Sequence, residues 1–126
     1  MMELTKSMED YLEAIYILQK KQSTVRITDL AKLLNISKPS VNRAIKSLKA
    51  ENLVCHEKYG TITLTQEGEN ISKDIYSRHK ILTKFLIENL GIDPDIAEKE
   101  ACGMEHSISK ESLKKLTHYL EKHKNA

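Results

Sequence analysis

The chain has 126 residues, of which 40% are apolar and 30% charged, and a net charge of only +2. That balance suits one folded domain or two very small ones and excludes wholesale disorder. Residues 14–18 are the longest apolar run, too short to span a membrane, and two cysteines after a start with no signal-like stretch point to free thiols in a reducing cytoplasm.

A first helix is expected over residues 7–21. Met8, Tyr11, Leu12, Ile15, Tyr16 and Leu18 recur at three- and four-residue steps. Ser7 stands where its cap belongs, with Asp10 three residues on. A short second helix has Thr28 as its cap and Leu30, Ala31 and Leu34 as its apolar face. After the turn Asn35-Ile36-Ser37, Ser37 caps a third helix, with Pro39 in its first turn and Val41, Ala44, Ile45 and Leu48 as its buried stripe. Residues 53–65 change pattern. β-branched runs flank Tyr59-Gly60, which reads as a hairpin. A fourth helix is expected over residues 66–90, with Ile71, Ile75, Leu82 and Leu86 in one stripe and Gly91 as its stop. Asp93-Pro94-Asp95 starts a fifth, ending near Gly103, and Ser109 caps a sixth whose Leu113, Leu116 and Leu120 should be buried. The fold class is therefore mainly α with a small β-wing. An N-terminal winged helix–turn–helix occupies residues 1–65, and a helical dimerisation domain occupies residues 66–126. Dimerisation is expected because Ile81, Leu82, Phe85, Leu86, Leu113, Leu116 and Leu120 offer more apolar surface than so small a half can hide internally. The alternative is packing of that surface against the first helix.

The third helix has the chemistry of a DNA reader. Between Lys38 and Lys49 it carries four cations and no acid. Ser40 and Asn42 lie near its N-terminus, where such helices touch base edges. Thr28 offers an exposed backbone N–H to a phosphate. The candidate DNA-contacting set is Thr28, Lys38, Pro39, Ser40, Asn42, Arg43, Lys46 and, at the wing tip, Lys58. A basic helix face is more often simply solvated, and winged helices also bind proteins. The order of capped helix–turn–helix and wing favours double-stranded DNA.

Cys102, Glu105 and His106 stand at helical spacing i, i+3 and i+4, which points all three to one side. A thiolate, a carboxylate and an imidazole together suit a divalent transition metal. Glu98 lies one turn earlier on the same face, His79 lies on the fourth helix, and Asp10 and Glu13 share the polar side of the first helix. Each has a plainer reading alone: Asp10 as a helix-terminal acid, Glu13 as a surface acid, His79 as a packed histidine, Cys102 as a small core residue.

These motifs carry a resemblance that covers nearly the whole chain. Its residues are 8–16 (MEDYLEAIY), 27–31 (ITDLA) with 37–41 (SKPSV), 64–68 (LTQEG), Arg78-His79 and 102–106 (CGMEH). In them the chain resembles the diphtheria-toxin-repressor family of metal-dependent transcriptional repressors, which includes iron-dependent repressors and manganese-transport regulators. The resemblance implies a metal site fed from both halves, with Asp10, Glu13, His79, Cys102, Glu105 and His106 as ligands and Glu98 as a possible ancillary one. Asp10 and Glu13 match the manganese type, Cys102 the iron type, and His79, Glu105 and His106 both. Thr83 departs, standing where the iron type has glutamate, and Glu98 stands where it has histidine. The implied cofactor is Mn²⁺ or Fe²⁺, with no organic cofactor and no membrane. The implied partners are operator DNA and a second copy, as in the short two-domain regulators that lack an SH3-like third domain. The resulting expectation is a cytoplasmic, non-enzymatic, metal-dependent regulator, a repressor of metal-uptake genes in the sense the family implies. Its rival is a metal-independent winged-helix regulator that senses redox state or a ligand, with Cys55 or Cys102 as the sensor. A metalloenzyme using Glu105 as base would need a substrate cleft, which no sequence feature offers.

Overall fold

A computed structural model describes residues 4–57 and 60–123. Its internal contacts divide the chain into two compact units, Met1–Asp74 and Ile75–Ala126. None of its described helices is long and apolar enough to cross a membrane.

The first unit is built from α1 (Lys6–Lys21), α2 (Ile27–Leu34), α3 (Lys38–Ala50), β1 (Val54–His56), β2 (Ile62–Leu64) and the opening turns of α4 (Gln66–Lys84). Leu12 and Ile15 of α1, Leu30 of α2, and Val41, Ile45 and Leu48 of α3 are buried, with Val25, Leu53 and Ile62 closing the same core. Each buried side chain of this size contributes about 1.5–3 kcal/mol. The two strands run antiparallel with Val54 opposite Leu64, Cys55 opposite Thr63 and His56 opposite Ile62. Two contacts fasten this hairpin. Ile62 donates its N–H to the Val25 carbonyl at 2.7 Å, and Leu64 donates to the Gln19 side-chain oxygen at 3.1 Å. The fold class is as expected: a winged helix–turn–helix followed by helices. The wing-tip residues Lys58 and Tyr59 lie outside the described residues.

Two caps differ from expectation. Thr5, not Ser7, caps α1, its hydroxyl accepting from Met8 N–H at 3.1 Å. Arg26, not Thr28, precedes α2, and the Asp29 carboxylate accepts from Arg26 N–H at 2.9 Å. Val25 is drawn into the bridge with Ile62, which leaves Arg26 extended, and the helix starts at Ile27, two residues before the start a Thr28 cap implies. Thr28 therefore lies in the first turn rather than at the cap, still exposed. Ser37 caps α3 as expected, accepting from Ser40 N–H. Asn35, with φ of 55°, supplies the left-handed residue of the turn between α2 and α3.

The second unit holds the rest of α4, a π-helical turn over Phe85–Asn89, α5 (Pro94–Met104) and α6 (Lys110–Lys122). Regular α-helix thus stops at Lys84, earlier than the expected residue 90, and the last turn is wound wider. Gly91, at φ 68°, ends it. Asp93 and Ser109 cap α5 and α6. Leu82, Leu86, Ala97 and Ala101 form the buried centre, with Phe85, Ile92, Ile108 and Leu116 packed around them. Two expectations are corrected by this packing. Leu82 and Leu86 are consumed inside the unit and are not surface for a partner. Leu113, Leu116 and Leu120 are half-buried, not buried, because α6 has core on one flank only.

Candidate metal centre and DNA-facing helix

The C-terminal end of α5 brings together the thiol, carboxylate and imidazole singled out in the sequence. Cys102 lies in the last turn of α5, Glu105 is its C-cap at φ −60° and ψ −26°, and His106 follows in a turn. The helix ends before His106, yet the helical φ and ψ at Glu105 keep the spacing effective. Cys102, Glu105 and His106 each offer a ligand atom within 4.8 Å of the others.

Glu105 is the centre of the arrangement. Its side chain is fully buried, and neither carboxylate oxygen makes a hydrogen bond among the described residues. Each oxygen instead faces an imidazole: Oε2 lies 3.3 Å from His79 Nδ1, and Oε1 lies 3.5 Å from His106 Nε2. The first of these is short but off the line a hydrogen bond requires, so it acts as a close electrostatic contact. The Glu105 backbone carbonyl accepts from Arg78 Nη1 at 2.9 Å. Arg78 precedes His79 on α4, so one helix supplies both an imidazole for the carboxylate and a clamp for its backbone.

His79 has a second acidic neighbour. Its Nε2–H donates to Glu98 Oε1 at 2.7 Å, the carboxylate of an exposed acid on α5. The Glu105 carboxylate beside it raises the imidazole well above its ordinary value, burial pulls it down, and Glu98 pushes it up again, leaving it at about 9. Thr83 spends its hydroxyl on the His79 carbonyl at 2.7 Å. Cys102 is half-buried and Cys55 exposed, and neither is in a disulfide.

Asp10 and Glu13 lie on α1 in the first unit, Asp10 half-buried and Glu13 buried. The surface-acid reading of Glu13 is thereby overturned. The residues present fit a divalent transition metal: a buried carboxylate with both oxygens unbonded, two imidazoles and a thiol form a donor set of the type such ions take. Sequence reasoning gave Arg78 no role. Its contact with Glu105 spans 27 positions and leaves no local spacing to detect.

On α3, Lys38, Pro39, Asn42, Arg43 and Lys46 are exposed and Ser40 is half-buried. Arg43 Nη2 donates to Ser40 Oγ at 3.2 Å, and Ser37 Oγ lies 2.9 Å from the same oxygen. Burial pushes the Tyr11 phenol on α1 up, and the Arg43 guanidinium pulls it partly back.

Known proteins fit this geometry. Residues 3–62 match the family described as iron dependent repressor, N-terminal DNA binding domain. Residues 65–126 match the iron dependent repressor metal binding and dimerisation domain. An uncharacterised HTH-type transcriptional regulator of Methanocaldococcus jannaschii is 42% identical over 97% of this chain and 98% of its own length. The HTH-type transcriptional regulator MntR of Bacillus subtilis is 33% identical over 89% of this chain and 78% of its own. Among solved structures, a manganese-dependent transcriptional repressor in complex with manganese superposes with a TM-score of 0.84 at 30% identity, over 90% of this chain. This chain spans about half (52%) of that solved one. The chain belongs to the iron-dependent repressor family of metal-dependent transcriptional repressors, a family of DNA-binding regulators and not of enzymes.

Proposed function

We propose that this chain is a Mn²⁺- or Fe²⁺-dependent regulator that binds double-stranded operator DNA as a homodimer when its metal site is filled, and represses metal-uptake genes in the cytoplasm. The observation that carries the reading is Glu105, a buried carboxylate whose two oxygens face His79 and His106, with the Cys102 thiol beside it. Asp10 and Glu13 would complete the ligand set from α1, with Glu98 as an ancillary ligand. The support for these three is donor chemistry: hard oxygens favour Mn²⁺, and the Cys102 thiol draws preference toward Fe²⁺. Bound there, the cation supplies positive charge to carboxylates that otherwise repel one another.

Residues 1–65 serve as the DNA-binding domain and residues 66–126 as the metal-binding and dimerisation domain. Ile81, Phe85, Leu113, Leu116 and Leu120, all half-buried, are the side chains left to pack a second copy. Two α3 helices then contact one face of the duplex about 34 Å apart, one helical turn. Thr28, Lys38, Pro39, Ser40, Asn42, Arg43, Lys46 and Lys58 make the DNA contacts. Metal controls DNA affinity only if it binds the DNA-competent state more tightly, so DNA must also tighten metal binding by the same factor.

The test measures operator binding in chelator and then with Mn²⁺, Fe²⁺ and Zn²⁺ in turn. Metal should restore binding lost in chelator, and His106→Ala should abolish that restoration. Metal stimulation that persists in His106→Ala would refute the site. Binding indifferent to chelator but abolished by peroxide would select instead the redox-responsive regulator, with the exposed Cys55 thiol as its sensor.

A further inference from the structure

A helix facing DNA meets two kinds of target. Phosphates accept from any cation, whereas a base edge requires two donors held at fixed spacing. Four α3 cations, Lys38, Arg43, Lys46 and Lys49, are exposed, and Arg43 alone carries a planar two-donor group. Arg43 is also distinguished by its neighbours. Its Nη2 is tied to Ser40 Oγ at 3.2 Å, and that oxygen is itself held by Ser37 Oγ at 2.9 Å. Ser37 in turn accepts from Ser40 N–H as the helix cap. The guanidinium is thus tethered to the first turn of α3 through a chain that starts at a capping residue. No acid lies on α3 to compete for it.

The donor count leaves the group able to read a base. A guanidinium has five N–H donors arranged as two two-donor edges that share Nη2. Ser40 uses one of the Nη2 hydrogens, which leaves one edge complete whichever hydrogen is used. Two parallel donors match the N7 and O6 acceptors that guanine alone presents in the major groove. Holding the side chain in place before DNA arrives removes part of the ordering cost of that contact.

We propose that Ser40 and Arg43 form a guanine reader, with Arg43 contacting the base and Ser40 acting as its positioning residue. The inference rests on the operator-binding reading above and adds to it the identity of one base and the device that selects it. In this role Ser40 acts on that base through the guanidinium it holds. It narrows the directions the guanidinium can take, and so sharpens discrimination at one position only.

The test is selection from a random-sequence duplex library by the full chain in Mn²⁺. The unsubstituted protein should enrich a motif with guanine at one defined position. Arg43→Gln should replace that guanine with adenine, because a carboxamide pairs with adenine N6 and N7. Arg43→Lys should lose the discrimination, by about 5- to 150-fold, while retaining charge. Ser40→Ala should weaken the preference for that guanine more than the preference at any other position, and Ser40→Thr should restore it. A thermal melt of each variant guards against unfolding, and an unfolded Ser40→Ala leaves the Arg43→Gln exchange to decide. If Arg43→Gln keeps the guanine, or Arg43→Ala weakens all sequences equally with a shallower salt slope, Arg43 is a phosphate contact and the inference falls alone. If the unsubstituted protein enriches nothing, the operator-binding reading falls and takes the inference with it.

Discussion

Burying a carboxylate costs several kcal/mol unless a cation or strong donors face it. Glu105 is fully buried, with imidazoles on both oxygens and Arg78 on its backbone carbonyl. The two kinds of contact do different things. The imidazoles face the carboxylate oxygens across the space a metal would take. Arg78 fixes where the carboxylate sits by holding the Glu105 backbone carbonyl. Arg78→Ala removes a charge-assisted donor from a backbone acceptor and lets the end of α5 shift. Losing a contact that orients a metal ligand costs about 10- to 100-fold in metal affinity, so Mn²⁺ titration of Arg78→Ala should show a fall of at least about 10-fold with stoichiometry unchanged. Arg78→Lys should recover part of it. Affinity equal to that of the unsubstituted protein would show that the carboxylate is positioned by its imidazoles alone.

At the level of elements, local signals located most of the helices, and tertiary packing set the exceptions. Ser37, Asp93 and Ser109 cap where their side chains suit the role. α2 begins after Arg26, a poor capping residue, because the Val25–Ile62 bridge fixes the backbone there, and no local pattern encodes a bridge across 37 positions. The π-helical turn after Lys84 likewise has no sequence signature. It is a wider winding at the end of α4, where Leu82 and Leu86 enter the core of the second unit. The Cys102–Glu105–His106 cluster was legible because its members are close in sequence, whereas the Glu98 hydrogen bond to His79 joins two helices and was not. Gly68 shows how tightly elements meet. A Cβ there would run into the Leu53 carbonyl oxygen, which already accepts from Thr65 N–H at 3.0 Å. The obstruction is backbone, so no rotamer change relieves it. Gly68→Ala should therefore destabilise the fold by roughly 1–3 kcal/mol, as overpacking does. A urea midpoint unchanged from that of the parent protein would mean that the start of α4 yields freely.

For the molecule as a whole, a net charge of +2 conceals a division of labour. Cations gather on α3, and carboxylates gather around His79. That second gathering ties stability to pH in a way that metal removes. In the metal-free protein His79 is raised from 6.5 to about 9 by Glu105 and Glu98. A raised value means that the folded state holds the proton more tightly than the unfolded state does. The stabilisation is complete below about pH 6.5 and is lost as pH rises through about 9. A metal ion needs the same nitrogen deprotonated, so it must displace that proton at neutral pH and binds more tightly as pH rises. These are one linkage seen from two sides. Across pH 6.5 to 9 the metal-free protein loses support that the metal-bound protein, with His79 already deprotonated, does not draw on. The rise in melting temperature on adding Mn²⁺ to chelator-treated protein should therefore grow with pH over this window, measured by circular dichroism without oxygen. His79→Gln should flatten the pH dependence of the metal-free melting temperature, because an amide has no proton to lose there. An increment that stayed constant or shrank from pH 6.5 to 9 would separate His79 from the metal and leave its pairing with Glu105 and Glu98 as a purely structural contact.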